Sequence, residues 1–506
     1  MTDKVPIRRL STGVPGLDAV LGGGLPEFSF NVVAGSPGAG KTTLVQQIMF
    51  ALARADRRAL YFTVLGEPPL KMLRYQQQFE FFNIGEVNAS VRFVNLAKEA
   101  LEGGLGEVLQ RIVQEVEATS PAIVIVDSFR SVIEAAKRHN GGSDVQHFIQ
   151  DLGMRLTQWQ ATTFLVGEFH LTETQDHPVF TVADGLVWLH QSLDRNSMVR
   201  KMQIMKMRGQ APIPGLHTFR ITDSGIQVFP RLILAPQTPP VGGEAKTTRR
   251  PPRLSLGVPG LDEMLGGGIP AGQSVLVAGP SGSGKTVLAT QFIREGVRRG
   301  EPGVIAIFEK RPSEYAQTSA IGLDQAVRDG QVGIIHTRPL DLSIDETQHE
   351  LTTAIDRLKA RRVVIDSLSG FELALAPTFR EDFRESLYRL VAALTGMGVT
   401  VMMTAELEDT YTHLRFSPHG TAFLTDAIIL QRYLELEGQL QRVMAVVKVR
   451  TSAHSTDLRL FEISADGITV GERVGDYEGL LTGSPHVISH ERQRPRRRPH
   501  SRRSRS

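Results

Sequence analysis

Gly35-Ser-Pro-Gly-Ala-Gly-Lys-Thr42 follows the pattern G-x-x-x-x-G-K-[ST], and Gly279-Pro-Ser-Gly-Ser-Gly-Lys-Thr286 follows it a second time. Each copy is preceded by an apolar run that reads as a strand and followed by a helical pattern, the context that gives this motif its meaning. The glycines let the backbone turn tightly enough for its N–H groups to surround phosphate oxygens, and the helix that follows adds the positive end of its dipole. In the first copy the expected cradle is Gly35, Ser36, Pro37, Gly38, Ala39, Gly40, Lys41, Thr42 and Thr43. In the second it is Gly279, Pro280, Ser281, Gly282, Ser283, Gly284, Lys285, Thr286 and Val287. Lys41 and Lys285 are expected to reach the β- and γ-phosphates of ATP. Thr42 and Thr286 offer hydroxyls to Mg²⁺, an ion that keeps several waters and takes few protein ligands.

The two loops belong to a longer repeat. Gly13-Val-Pro-Gly-Leu-Asp18 recurs as Gly257-Val-Pro-Gly-Leu-Asp262, and Leu21-Gly-Gly-Gly24 recurs as Leu265-Gly-Gly-Gly268, all at an offset of 244. Asp127 and Asp366 are 239 apart, so a short insertion or deletion lies between. A period this long makes tandem domains rather than a solenoid. Domain one is placed at 1–235, a proline- and glycine-rich linker at 236–252, domain two at 253–487 and an arginine-rich tail at 488–506.

Within the first copy, Asn31 to Ala34, Leu60 to Val64 and Ala122 to Val126 read as strands, separated by helical patterns over Lys41 to about Ala55 and Leu105 to Thr119. This is βαβ order. The unbroken apolar run at Ala122-Ile-Val-Ile-Val126 predicts a parallel strand buried on both faces, and Val363-Val-Ile365 repeats it. After Ala183 the strands come closer together, at Gly185 to Leu189, Met202 to Met207 and His217 to Ile221, which reads as an antiparallel extension. The fold class is α/β: two tandem RecA-like P-loop NTPase domains, each a mostly parallel sheet with an antiparallel extension.

Asp127 and Asp366 each end a buried strand and precede a serine. From there a carboxylate can support the metal through water, or it can cap the next helix. Lys206-Met207-Arg208 and Lys448-Val449-Arg450 place two cations on one face of a strand. Left to the sequence, that is a solvated strand face or a phosphate contact.

Of the 506 residues, 41% are hydrophobic and 22% charged, the balance of an ordinary soluble α/β protein. Cysteine is absent, which excludes disulfides and thiolate chemistry. The N-terminus has no apolar signal region, and no run of about 18 uncharged apolar residues occurs, so a cytoplasmic protein without membrane contact is expected. The net charge of +3 arises in the tail: His490 to Ser506 holds eight arginines and one glutamate, a net of +7, leaving the rest near −4. That tail is either simply solvated or a contact for nucleic acid or an acidic partner. It has no aromatic residue for base stacking. His170, His413 and His454 have no metal-ligand spacing.

Over residues 8 to 487 the chain resembles the KaiC family of tandem RecA-like ATPases, through its phosphate loops, its GVPGLDxxLGGG motifs and its paired Lys-x-Arg strands. The resemblance implies a homohexamer in two tiers, ATP and Mg²⁺ held between neighbouring subunits, slow hydrolysis in domain one, and serine/threonine autokinase activity in domain two. A regulatory protein partner is also open. Lys206, Met207, Arg208, Lys448, Val449 and Arg450 then face a neighbour's nucleotide, and Thr222, Asp223 and Arg442 fall at positions that contact nucleotide. Gln210 and Pro212 depart from the polar and basic residues usual there.

The family carries adjacent glutamates after the strand that follows the phosphate-loop helix, whereas each copy here keeps one: Gly66-Glu67 and Glu309-Lys310. Glu309 takes the place of the general base, with contact to the metal, and Glu67 is its displaced substitute. Glu168 and Glu406 either sense the γ-phosphate or serve as structural acceptors. The family's hydroxyl acceptors, just before the position of Thr425-Asp426, correspond to Ala422-Phe423; Thr421 and Ser417 are the nearest hydroxyls. A RecA-like recombinase or helicase, or a nucleotide-regulated scaffold, are the alternative functions. Moving a carboxylate by one strand residue turns it to the opposite face, so Glu309→Gln should suppress ATP turnover far more than Glu67→Gln. Phosphate-release rates of the two variants check this, and equal effects would remove Glu309 from the role.

Overall fold

A strand can be apolar along its whole length only if both of its faces are covered, and that condition organises the chain. The computed structural model describes residues 7–64, 69–132, 134, 144–174, 177–194, 197–231, 252–309, 313, 315, 322–336, 343–375, 377–380, 383–407, 424–436, 438–450, 452–475, 477–478 and 486–487. All but the last residue of the expected linker, and all of the arginine-rich tail, lie outside these. The chain divides into two units, one around each of two nine-stranded sheets.

In the first unit the strands are β1 (Phe30–Gly35), β2 (Ala59–Thr63), β3 (Val91–Asn95), β4 (Ile123–Asp127), β5 (Thr162–Glu168), β6 (Gly185–Asp194), β7 (Ser197–Met207), β8 (Leu216–Thr222) and β9 (Gly225–Phe229). Their order is β9-β8-β7-β6-β1-β5-β4-β2-β3. From β6 to β3 neighbours run parallel; β6 to β9 form the antiparallel extension. Along β4, Val124 and Val126 enter one core with Val32, Leu60 and Phe62, while Ile123 and Ile125 enter the opposite core with Val33, Tyr61 and Phe164. Two dry faces explain why this strand shows no polar alternation.

The second unit repeats the plan with β10 (Ser274–Gly279), β11 (Gly303–Ile307), β12 (Val332–His336), β13 (Arg362–Asp366), β14 (Thr400–Glu406), β15 (Ala427–Leu436), β16 (Gln439–Val449), β17 (Leu458–Ser464) and β18 (Gly467–Arg473). Its order, β12-β11-β13-β14-β10-β15-β16-β17-β18, matches the first sheet strand for strand.

Three boundaries differ from the sequence reading by more than one residue, the first being that β6 runs on to Asp194 rather than ending at Leu189. The phosphate-loop helix α1 (Lys41–Leu52) stops before Ala55, because Ala53 turns to an extended conformation and Arg54 pairs with Arg57 in a bridge. Strand β7 starts at Ser197 rather than Met202. Its added turn of hairpin carries Arg200 and Lys201, which hide the apolar alternation that would have announced it.

The repeated GVPGLDxxLGGG motif is a tie between backbone segments. Asp18 accepts hydrogen bonds from Thr12 N (2.9 Å) and Ser11 Oγ (2.6 Å), and its own carbonyl accepts from Gly23 N (2.7 Å). Asp262 does the same with Leu256 N (2.8 Å) and Gly267 N (2.7 Å). Gly22, Gly23 and Gly24 have φ of 81°, 117° and 109°, in the left-handed region where side chains are strained.

The second core also contains one fully buried cation. Arg362, at the head of β13, donates to Glu301 Oε2 (2.6 Å), Ser255 O (2.8 Å) and Phe292 O (2.9 Å), and lies over the Phe292 ring. The matching position in the first unit is Ile123. Removing the partner of a buried charge costs about 3–5 kcal/mol, so Glu301→Ala should destabilise the second unit by that amount, while Glu301→Gln loses less. Urea unfolding of both variants is the measurement, and a change under about 1 kcal/mol for Glu301→Ala would contradict the assignment.

Candidate nucleotide sites

Each phosphate loop leaves the C-terminal end of the central strand of its sheet and enters a helix, α1 in the first unit and α2 (Lys285–Arg298) in the second. The turn requires left-handed backbone at Gly38 (φ 73°) and Gly40 (φ 97°), and at Gly282 (φ 75°) and Gly284 (φ 104°). A side chain there would also force its neighbour to move. A Cβ on Gly40 would lie 2.7 Å from Ile221 Cδ1, and one on Gly284 would lie 2.6 Å from Ile463 Cδ1. The first N–H groups of each helix have no carbonyl one turn back, so they are directed at whatever anion sits in the loop.

The lysines are ordered by the loops that carry them. Lys41 Nζ donates to Gly35 O (3.0 Å) and Ser36 O (2.8 Å), and Lys285 Nζ to Gly279 O (2.8 Å) and Pro280 O (2.7 Å). Burial lowers the pKa of both; the charges of Glu168 and Asp127 oppose it in the first unit, and those of Glu406, Asp366 and Glu309 in the second. Glu168 and Glu406 end the strand beside the loop, level with Gly35 and Gly279.

Asp127 and Asp366 reach the loops from β4 and β13. Thr42 Oγ1 donates to Asp127 Oδ2 at 2.7 Å, and Thr286 Oγ1 donates to Asp366 Oδ2 at 2.8 Å. The capping task falls to the next residue instead: Ser128 Oγ accepts from Ser131 N (3.3 Å), and Ser367 Oγ from Gly370 N (3.0 Å). The aspartates are therefore left for the threonines. Burial raises the Asp127 pKa, with the hydrogen bonds from Tyr61 and Thr42 acting against it.

The aspartates differ in what else holds them. In the first unit the fully buried Tyr61, on β2, donates to Asp127 Oδ2 at 2.6 Å. In the second, Ile305 stands at that place and Thr404, on β14, donates to Asp366 Oδ1 instead. Sequence reading missed both hydroxyls, since a tyrosine or threonine inside an apolar strand gives no local sign of its partner. It also missed Arg130, which lines the first pocket and is paired with Glu134 and Glu173.

The Lys-x-Arg pairs lie elsewhere. Gly35 is level with Leu189 on β6, whereas Lys206 is level with Leu186 and Met207 with Gly185, beside the start of β1. A bulge at Met205, repeated at Val447, precedes each pair; such bulges re-aim the side chains that follow. Lys206 Nζ donates to Thr181 O (3.0 Å), and Arg208 pairs with Asp184 (3.1 Å). Lys448 Nζ donates to Thr425 O (2.7 Å), and Arg450 pairs with Asp426 (3.5 Å). Met207 and Val449 are buried, so only their backbone faces outward. Along β1, Lys206 is level with Val32, three residues from Gly35, and Arg208 falls two steps further back, about 10 Å and about 16 Å from the loop at strand rise.

Among the remaining expected contacts, Thr222 and Asp223 close β8 beside Ile221, which packs on the loop at Gly40. Arg442 lies over the Tyr433 ring, and a Cβ on Gly282 would come within 2.9 Å of the Tyr433 hydroxyl. Gln210 is structural: its amide donates to Leu21 O (2.7 Å) and Gly24 O (2.9 Å). Glu309 follows β11 and accepts from Ser367 Oγ at 2.6 Å. Glu67, Lys310, His413, Ser417, Thr421, Ala422 and Phe423 lie outside the described residues. Among the described residues, no helix is long and apolar enough to cross a membrane.

Two parallel-sheet units with a phosphate loop and a strand-end aspartate in each define a tandem P-loop nucleotide-binding protein. The model of the KaiC ATPase family matches residues 10–233 and 254–475, and the chain belongs to that family. Circadian clock oscillator protein KaiC 1 of Synechocystis sp. is 27% identical over 96% of this chain and 93% of its own length. The KaiC proteins of Picosynechococcus sp. and Prochlorococcus marinus are each 26% identical over 96% of this chain, covering 93% and 96% of their own lengths.

A hydrogen bond to a charged group contributes about 1.5–3 kcal/mol. Tyr61→Phe should therefore weaken the Mg²⁺-dependent part of nucleotide affinity in the first unit by about tenfold, and Thr404→Val should do so in the second unit only. Titration of a fluorescent ATP analogue with and without Mg²⁺, in chains carrying Lys285→Ala or Lys41→Ala, separates the two; an unchanged Mg²⁺ response in both would refute the assignment.

Proposed function

We propose that both units bind Mg-ATP and hydrolyse it slowly, each site being completed by the Lys-x-Arg pair of a neighbouring copy in a ring, the hexamer that the family resemblance implies. The observation that carries this reading is the separation within one unit: the loop and its aspartate sit at one end of the central strand, and the two cations lie back along it, about 10 Å away for Lys206 and about 16 Å for Arg208, with Lys206 Nζ tied to Thr181 O rather than turned to the loop. A chain cannot bring its own pair to its own phosphates, and a ring of like subunits can.

The donor set fits Mg²⁺. Thr42 with Asp127, and Thr286 with Asp366, are paired hard-oxygen groups at the head of an anion-binding helix. When bound, the ion neutralises charge on the β- and γ-oxygens of the nucleotide. The loop N–H groups and Lys41 or Lys285 hold the phosphates, Glu309 takes a proton from the attacking water in the second unit, and the neighbour's arginine stabilises the charge that develops. Self-phosphorylation at the family's acceptor positions is not part of this function, because Ala422 and Phe423 have no hydroxyl. The second unit acts as an ATPase, and phosphopeptide mapping after incubation with ATP should find no modified residue around Thr421.

A mixing experiment tests the shared site. In a Lys285→Ala background, Lys41→Ala abolishes binding in the first unit, and Arg208→Ala leaves binding but lowers turnover by at least about tenfold, a modest share of what trans arginines contribute elsewhere. Mixed rings contain interfaces with an intact lysine on one side and an intact arginine on the other. Mixing the two inactive variants should recover part of the activity. No recovery, with rings confirmed by mass, would show that lysine and arginine serve the same subunit.

A further inference from the structure

Glu309 is an exposed side chain, yet the residues around it leave it little freedom. Ser367 Oγ donates to Glu309 Oε1 at 2.6 Å and at the same time accepts from Gly370 N at 3.0 Å. The serine hydroxyl has a single proton. The helix cap takes its lone pair, and the carboxylate takes the proton. The body of the glutamate then rests on the bare Cα of Gly370: a Cβ there would lie 2.5 Å from Oε1 and 2.6 Å from Cγ. Gly370 sits inside a regular helix, Leu368–Ala374, where alanine is otherwise favoured by about 1 kcal/mol. Its backbone has no need of glycine; the glutamate does.

The first unit is built otherwise at the same place. Counting from the strand-end aspartates, Ser128 corresponds to Ser367 and Ser131 to Gly370. Ser131 brings a side chain into the position that Gly370 leaves open, and the Ser128 and Ser131 hydroxyls lie 3.1 Å apart, bonded to each other. The hydroxyl that serves the glutamate in one unit is engaged locally in the other.

We propose that Ser367 and Gly370 form a seat that fixes the Glu309 carboxylate for water activation, and that they are positioning residues of the second unit alone. This rests on the reading of Glu309 as the base. A base must stand within hydrogen-bond reach of the proton it takes, and a glutamate with three free torsions spends most of its time elsewhere. Ser367 restricts the carboxylate through Oε1, Gly370 provides the surface under its stem, and Oε2 is left for water.

The test uses the full chain with Lys41→Ala, so that turnover reports the second unit. Ser367→Ala should lower kcat by about tenfold or more, the loss of one hydrogen bond to a charged acceptor, and Ser367→Thr, which keeps the hydroxyl, should restore it. Gly370→Ala should lower kcat comparably. All three should leave the dissociation constant of a fluorescent ATP analogue, measured with Mg²⁺, within about twofold of the parent, a smaller change than one hydrogen bond to a charged group would make. Combined with Glu309→Gln, neither Ser367→Ala nor Gly370→Ala should lower kcat further, because the group they position is already gone. If Glu309→Gln alone leaves kcat unchanged, the base assignment fails and the seat fails with it. If Glu309→Gln slows turnover while Ser367→Ala and Gly370→Ala do not, or if their effects add to it, the seat alone is wrong.

Discussion

A threonine hydroxyl on an aspartate carboxylate, 2.7 Å long in one unit and 2.8 Å in the other, is the interaction on which the rest of this protein depends. The aspartate ends β4 or β13, while the threonine opens the helix reached through the loop after β1 or β10, and β5 or β14 lies between those two strands. The bond exists only if those strands are parallel, in register and of similar length. It thereby converts sheet topology into one place where the phosphate loop and the strand-end carboxylate meet. Everything apolar in the two cores serves to keep that register, since a slip of one residue would turn the aspartate to the opposite face.

Around this common feature the two units have drifted in their polar details. One aspartate is held by a phenol from β2, the other by a threonine from β14. One serine cap spends its hydroxyl on another serine, the other on a glutamate. An apolar position in the first core, Ile123, is a fully buried arginine in the second, satisfied by a carboxylate, two carbonyls and an aromatic face. Backbone cradles are insensitive to such exchanges, because their N–H groups do not depend on side-chain identity. Orientation of a carboxylate is sensitive to them.

Family membership sets expectations that individual residues qualify. Sequence identities near a quarter run over nearly whole chains, and the resemblance to the family rests on the loops, the glycine-rich motif and the paired cations. At the positions where the resemblance implies hydroxyl acceptors, this chain has Ala422 and Phe423. The glycine-rich motif itself is a backbone tie: the carbonyl and carboxylate of Asp18 and Asp262 each gather N–H groups from segments that would otherwise be loose.

The amino-acid sequence by itself determined the duplication, the two phosphate loops, the α/β class and the strands that flank each loop. These are local: a glycine at a left-handed turn, an apolar run of strand length and a lysine-threonine pair at a helix start express their meaning within a dozen residues. It also indicated the cation pairs, without deciding whose phosphates they could reach. Only the tertiary structure set how far each pair lies from its own loop, because the pairing of β7 with β6 and β6 with β1 fixes that distance. The hydroxyls of Tyr61 and Thr404, the role of Ser367 and the space above Gly370 were likewise invisible in sequence. Each depends on a partner 38 to 66 residues away, and a hydrogen bond between distant residues leaves no pattern in the chain that makes it.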